Sequence, residues 1–178
     1  MKKFFALIAA IIATTAAWAQ TTVSTDSELR TAIQTDGANI IVTSDIDLSN
    51  STLSIAENTT VTIDLGGHTL DRQLTQRGEG GGQVITVRSG ATLNLSNGTL
   101  RGGWGGAGGA LVNEGGIVTL TDVITINNVA DDRGGGICNR ESGTLTMTGG
   151  AITNNHSNDQ SGAKGGGGFF NKRVLRQP

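Results

Sequence analysis

The chain has 178 residues, 13 Lys and Arg against 15 Asp and Glu for a net charge of -2, and an unusual balance of 28 glycines, one proline, no tyrosine and 3% aromatic residues. These figures exclude a basic nucleic-acid-binding surface and a disulfide framework, because Cys138 is the single cysteine and cannot close an intrachain bridge. The glycine-rich, aromatic-poor bias points to a repetitive architecture rather than an ordinary globule.

In chain order, Met1-Lys2-Lys3 precedes an apolar run over 4–13 and then Ala17-Trp18-Ala19. A basic start, an apolar stretch short for a bilayer and small residues before a cut predict a secretory signal peptide over 1–19. Cleavage after Ala19 would start the mature chain at Gln20, with no membrane span remaining. The expected location is secreted, or the bacterial cell surface or outer membrane.

Residues 20–37 read as an N-terminal cap with a short helix. Ser24-Thr25-Asp26-Ser27-Glu28 precedes Leu29, Ala32 and Ile33, and Gly37 follows: a Thr25-to-Glu28 capping box and a glycine stop. A solenoid needs such a cover, because an open coil exposes backbone groups and core.

Residues 38–171 read as stacked coils. The runs 40–42 and 46–48, then Leu53 and Ile55, supply the first coil. The strings 61–65, 91–95, 116–120 and 143–147 superimpose, which predicts one inward column of Ile63, Leu93, Val118 and Leu145 and a second of Leu65, Leu95, Leu120 and Met147. Polar residues between the columns give the period of two of a half-buried strand. From Ile63 to Leu93, Leu93 to Val118 and Val118 to Leu145 the steps are 30, 25 and 27 residues, within the range of solenoid repeats. Leu70, Leu100 and Ile152 follow at a constant distance, whereas the third copy has Thr125 there and Ile126 one later; this predicts a one-residue shift or bulge.

A second string recurs at 108–113, 134–139 and 166–171: two glycines, a small residue, two apolar residues and Asn. It predicts corners around a short strand, with Asn113, Asn139 and Asn171 as turn residues stacked to hydrogen-bond from coil to coil. Cys138 takes the position of Val112 and Phe170, as an apolar packing residue or as a reactive or intermolecular thiol. Residues 172–178 read as a tail, the start of a truncated coil whose edge offers coil-end association. Its Lys172, Arg173 and Arg176 read as a solvated cationic cluster.

The string from Ile126 through Asn128, Ala130 and Gly134-Gly135-Gly136-Ile137 to Asn139 resembles the polymorphic outer membrane protein repeat of bacterial surface adhesins. Ile63-Asp64-Leu65-Gly66-Gly67-His68-Thr69-Leu70 is similar to the early coil of many pectin-lyase-like β-helix proteins. The resemblance covers residues 24–171 and implies an all-β, right-handed parallel β-helix. Lyases, hydrolases, epimerases and plain adhesins all share that fold.

No catalytic constellation, cofactor site or metal site is expected. Asp131 and Asp132 are adjacent and could serve as an acid–base pair or hold calcium, but their surroundings predict a solvated loop. His68 and His156 read as surface turn residues. Asp45-Ile46-Asp47 lacks the glycine and glutamate of a calcium loop and reads as out-facing acids on a strand. The glycine runs match neither a calcium-binding nonapeptide nor a phosphate cradle. Trp104, between glycine pairs, reads as a loop indole that packs on the coil or stacks on a sugar. Thr62, Thr92 and Thr144 form an outward file with Thr119, Thr121, Thr146 and Thr148 beside it, resembling an ice-binding face, but Asp64, Asn94, Ser96 and Ile117 interrupt it. The expected function is an adhesin-like binding or structural module for a glycan or host or cell-surface ligand. A polysaccharide-active lyase or hydrolase is the alternative, and an ice-binding protein a third.

Overall fold

The computed structural model describes residues 20–48, 51–76, 82–140, 142–159 and 166–172. The expected signal peptide, Ala19 included, lies outside them, as do Arg173 and Arg176. The described residues form a parallel β-solenoid of about four turns with one short helix.

The chain enters through β1 (Gln20–Val23), α1 (Asp26–Ala32) and the first coil, β2 (Ala38–Val42), β3 (Ile46–Asp47) and β4 (Leu53–Ile55). The next coil is β5 (Thr60–Asp64), β6 (Thr69–Asp71) and β7 (Ile85–Val87). Then come β8 (Thr92–Arg101), β9 (Trp104–Ala107) and β10 (Leu111–Asn113), and β11 (Ile117–Ile126), β12 (Val129–Arg133) and β13 (Ile137–Asn139). The last coil holds β14 (Thr144–Thr148), β15 (Ala151–Thr153), β16 (His156–Ser157) and β17 (Phe169–Asn171). Stacking these coils makes three parallel sheets among the described residues: a long one through β1-β2-β5-β8-β11-β14, one of short strands β4-β7-β10-β13-β17, and a third, β9-β12-β16.

The capping box forms as expected. Thr25 Oγ1 accepts from the Glu28 N–H at 3.3 Å, and Glu28 Oε2 accepts from the Ser24 and Thr25 N–H groups at 2.8 and 3.1 Å. Those bonds hold the Glu28 carboxyl below its usual range. Leu29 and Ile33 join the buried core, and Arg30 fastens α1 to the Ser51 and Thr52 carbonyls at 2.6 and 3.2 Å. Gln20–Val23, within the expected cap, adds a parallel strand to the edge of β2.

The inward columns exist, with one correction of register. Val61, not Ile63, stands opposite Leu93, and Ile63 stands opposite Leu95; from there Val118 with Leu145 and Leu120 with Met147 follow as expected. The pair Thr60 with Thr92 is a step of 32 residues, but Thr69 with Thr99 is a step of 30. Gly66 and Gly67, at φ 59° and 87°, absorb the two extra residues in a bend that side chains with a Cβ rarely adopt. The threonine file shifts with it: Thr60 lies beside Thr92, Ile117 and Thr144, while Thr62 lies beside Asn94, Thr119 and Thr146.

The expected bulge at Thr125 is absent, because Thr125 pairs directly with Leu100 and Ile152. Its side chain points inward and is fully buried. It stays there because Asn155 Nδ2 donates to its Oγ1 at 3.3 Å and to its carbonyl at 2.9 Å, so the buried hydroxyl is satisfied. Between the two inward segments of these long strands, Asn97 and Asp122 take left-handed φ of 56° and 53°, which turns the strand without breaking its register.

Candidate functional site

The short-strand sheet has two inward columns and one outward one. Leu53, Ile85, Leu111, Ile137 and Phe169 align on the inside. The second inward column changes character along the solenoid, from Ile55 and Val87 to Asn113, Asn139 and Asn171. Asn113 Nδ2 donates to Asn139 Oδ1 at 2.8 Å, and Asn139 Nδ2 to Asn171 Oδ1 at 2.9 Å, which is the expected coil-to-coil ladder. Asn128 and Asn155 make a second ladder at 2.9 Å that sequence reading missed. Its signal was an Asn repeated after Ile126 and after Thr153.

Between the inward columns, Ser54, Thr86, Val112, Cys138 and Phe170 form the outward column. Toward the last coils it turns apolar. Val112 and Cys138 are fully buried although they face away from the main core, because they pack with Ala107 and Phe170 into a small second cluster. Cys138 therefore occupies the expected packing position, and burial pushes its thiol pKa up.

Ala107, Cys138 and Phe170 of this cluster floor an outer groove of about 440 Å³. Asp132 and Arg133 stand on one side, and Glu114, Arg140 and Lys172 on the other. Arg133 pairs with Asp132 at 2.6 Å and its guanidinium lies 4.9 Å over the Phe170 ring. Glu114 bridges Arg88 at 2.7 Å and Arg140 at 3.3 Å. Three cationic side chains thus face two carboxylates above an apolar floor. Lys172, read as tail, belongs to this wall: its N–H bonds the Asn139 carbonyl at 2.9 Å.

Asp131 and Asp132 sit on β12, not in a loop, with an irregular register between Ala130 and Arg133. Their carboxylates turn to different partners, Asp132 to Arg133 and Asp131 Oδ1 to the Trp104 indole N–H at 3.0 Å. Trp104 is likewise on a strand, half-buried on β9 opposite Val129, outside the groove. His68 lies in the expected turn, 3.5 Å from Asp45; His156 lies exposed on β16. Ile46 is buried between outward Asp45 and Asp47, as the alternation predicts. Among the described residues no three His, Cys, Asp or Glu side chains gather as a metal ion requires, and no helix is long and apolar enough to cross a membrane. One buried charge escaped sequence reading: Arg72, 2% exposed, donates to the Leu48 carbonyl inside the first coils.

Comparison with family models, curated proteins and solved structures finds no match to this chain. Geometry and repeat strings carry the functional reading.

Proposed function

We propose that this solenoid is an exported, surface-displayed or secreted binding module of the adhesin type, right-handed in its winding and capped at its N-terminal end by α1. The groove over Cys138 and Phe170 is its ligand site. The observation that carries this reading is the groove's construction: an apolar floor suited to a sugar ring or aliphatic face, under an excess of cationic groups held in place by ion pairs. Such a combination fixes orientation with a few polar contacts while burying apolar area. The ligand class is a glycan or cell-surface molecule bearing carboxylate or sulfate. The resemblance of residues 126–139 to polymorphic outer membrane protein repeats supports the adhesin class. The divergence of Asp131 and Asp132 favours binding over sugar cleavage, which needs two carboxylates converging on one bond.

The test is an array of acidic and neutral glycans probed with the mature chain and with Arg140→Ala. Retention of acidic glycans, weakened in the variant, is the expected result, with no sugar released into solution. Release of sugar that Asp132→Ala abolishes would overturn the reading in favour of a polysaccharide-active enzyme.

A further inference from the structure

We propose, resting on the groove reading above, that the ligand is an unbranched glycan with acidic groups at regular intervals, laid parallel to the solenoid axis along a file of charged corner residues that starts outside the groove at Arg88. Val87, Asn113, Asn139 and Asn171 stand in register on the inside of the short-strand sheet. Strand alternation turns the residue after each of them outward, and those residues are Arg88, Glu114, Arg140 and Lys172. Their N–H groups donate in turn to the carbonyls of Ile55, Val87, Asn113 and Asn139 at 3.2, 2.8, 2.9 and 2.9 Å, so the four side chains leave successive coils at one corner. With coils about 4.7–4.9 Å apart, Arg88 and Arg140 are separated by roughly 9–10 Å along the axis, and Arg88 and Lys172 by roughly 14–15 Å. The column of Thr86, Val112, Cys138 and Phe170 runs parallel to this file, two residues earlier in each strand. Floor and charges are therefore both drawn out along the axis, as a linear ligand requires.

Glu114 organises the file. Its Oε2 accepts from Arg88 Nη1 at 2.7 Å and its Oε1 lies 3.3 Å from Arg140 Nη1, while Arg88 Nε donates to Ser54 Oγ at 3.4 Å. Both arginines are thus positioned from neighbouring coils, yet 50% and 51% of their side chains are exposed against 24% of Glu114. A ligand meets the guanidiniums before the carboxylate, and each guanidinium has five donors in a rigid fork, enough to hold Glu114 and a carboxylate or sulfate together. Three cations to one carboxylate make this corner locally positive on a chain of net charge -2. One exposed ion pair shifts an equilibrium by no more than about fivefold, so charge alone holds a single acidic sugar weakly. A chain with acidic groups along the axis engages Arg88, Arg140 and Lys172 together, and each contact after the first is intramolecular. Arg88 does not line the groove, so it separates an axial ligand from one confined to the groove.

Affinities of the chain for heparin-derived oligosaccharides from disaccharide to octasaccharide, with dextran oligosaccharides as neutral controls, test the axial placement. Affinity is expected to rise by about tenfold or more from disaccharide to octasaccharide, with a steeper salt dependence at the longer length. Arg140→Ala is expected to weaken binding at every length. Arg88→Ala is expected to lower the octasaccharide-to-disaccharide affinity ratio by about two- to fivefold, and Arg88→Lys to restore most of it. On the unaltered chain, hydrogen exchange over residues 87–90 is expected to slow with the octasaccharide and not with the disaccharide, a readout that needs no variant to fold. Retention of the disaccharide with no gain from length, or a gain indifferent to Arg88→Ala, would overturn the axial file and leave the groove reading standing. No retention at any length, or equal retention of dextran, would overturn both.

Discussion

Asn113 donates its side-chain Nδ2 to Asn139 Oδ1 at 2.8 Å, with both residues buried at the corner where one coil climbs to the next. Each amide also satisfies corner backbone: Asn113 Oδ1 accepts from the Gly116 N–H at 2.8 Å, and Asn139 Nδ2 donates to the Gly143 carbonyl at 2.9 Å. Buried polar groups persist only when paired, so loss of one rung strands its neighbours. Asn139→Ala is expected to destabilise the solenoid by about 1–3 kcal/mol, and Asn171→Ala, at the exposed end of the ladder, by less. Urea unfolding followed by circular dichroism checks the order.

Gly98 is required for space rather than for backbone angle. A Cβ there would overlap the Leu65 side chain and the His68 carbonyl, both fixed by the bend at Gly66 and Gly67. Gly98→Ala is expected to cost about 1–3 kcal/mol through overpacking. Gly106→Ala meets no atom within 4 Å and is expected to leave stability nearly unchanged. Thermal melts of the two variants side by side give the comparison.

Burial holds the proton on Cys138 to higher pH in the folded chain than in the unfolded one. The sign follows from linkage: at alkaline pH the unfolded state binds fewer protons, so stability falls as pH rises. The contribution is full below the unfolded thiol value of about 8.5 and is lost as pH climbs through the folded one. Cys138→Val, which copies its neighbour Val112, is expected to flatten the alkaline decline in Tm. Slow alkylation of native Cys138 by iodoacetamide is the companion expectation, and fast labelling would contradict the burial.

The bond from the Trp104 indole to Asp131 crosses from β9 to β12. Trp18 is the other tryptophan in the sequence, so cleavage after Ala19 would make Trp104 the sole emitter. Asp131→Ala is expected to red-shift its fluorescence and to cost about 0.5–1.5 kcal/mol. An unchanged emission maximum would show that the indole is held by packing alone.

Most of the coil architecture was legible because a half-buried strand alternates every second residue, and the Asn strings mark the corners directly. The first copy was placed two residues out of register because its pattern is equally regular in either position, and only the Gly66-Gly67 bend decides between them. Thr125 misled for a related reason: its inward place depends on Asn155, 30 residues later. The groove was not legible at all. Ala107, Asp132, Cys138 and Phe170 are scattered over the sequence and meet only when strands of three coils stack.

Hydrogen–deuterium exchange of the chain, with and without an acidic glycan that it retains, tests the groove reading most directly. Slowed exchange over residues 107–114 and 132–140 is the predicted result. Slowed exchange confined to the outward threonine face of β5, β8 and β11 would contradict it.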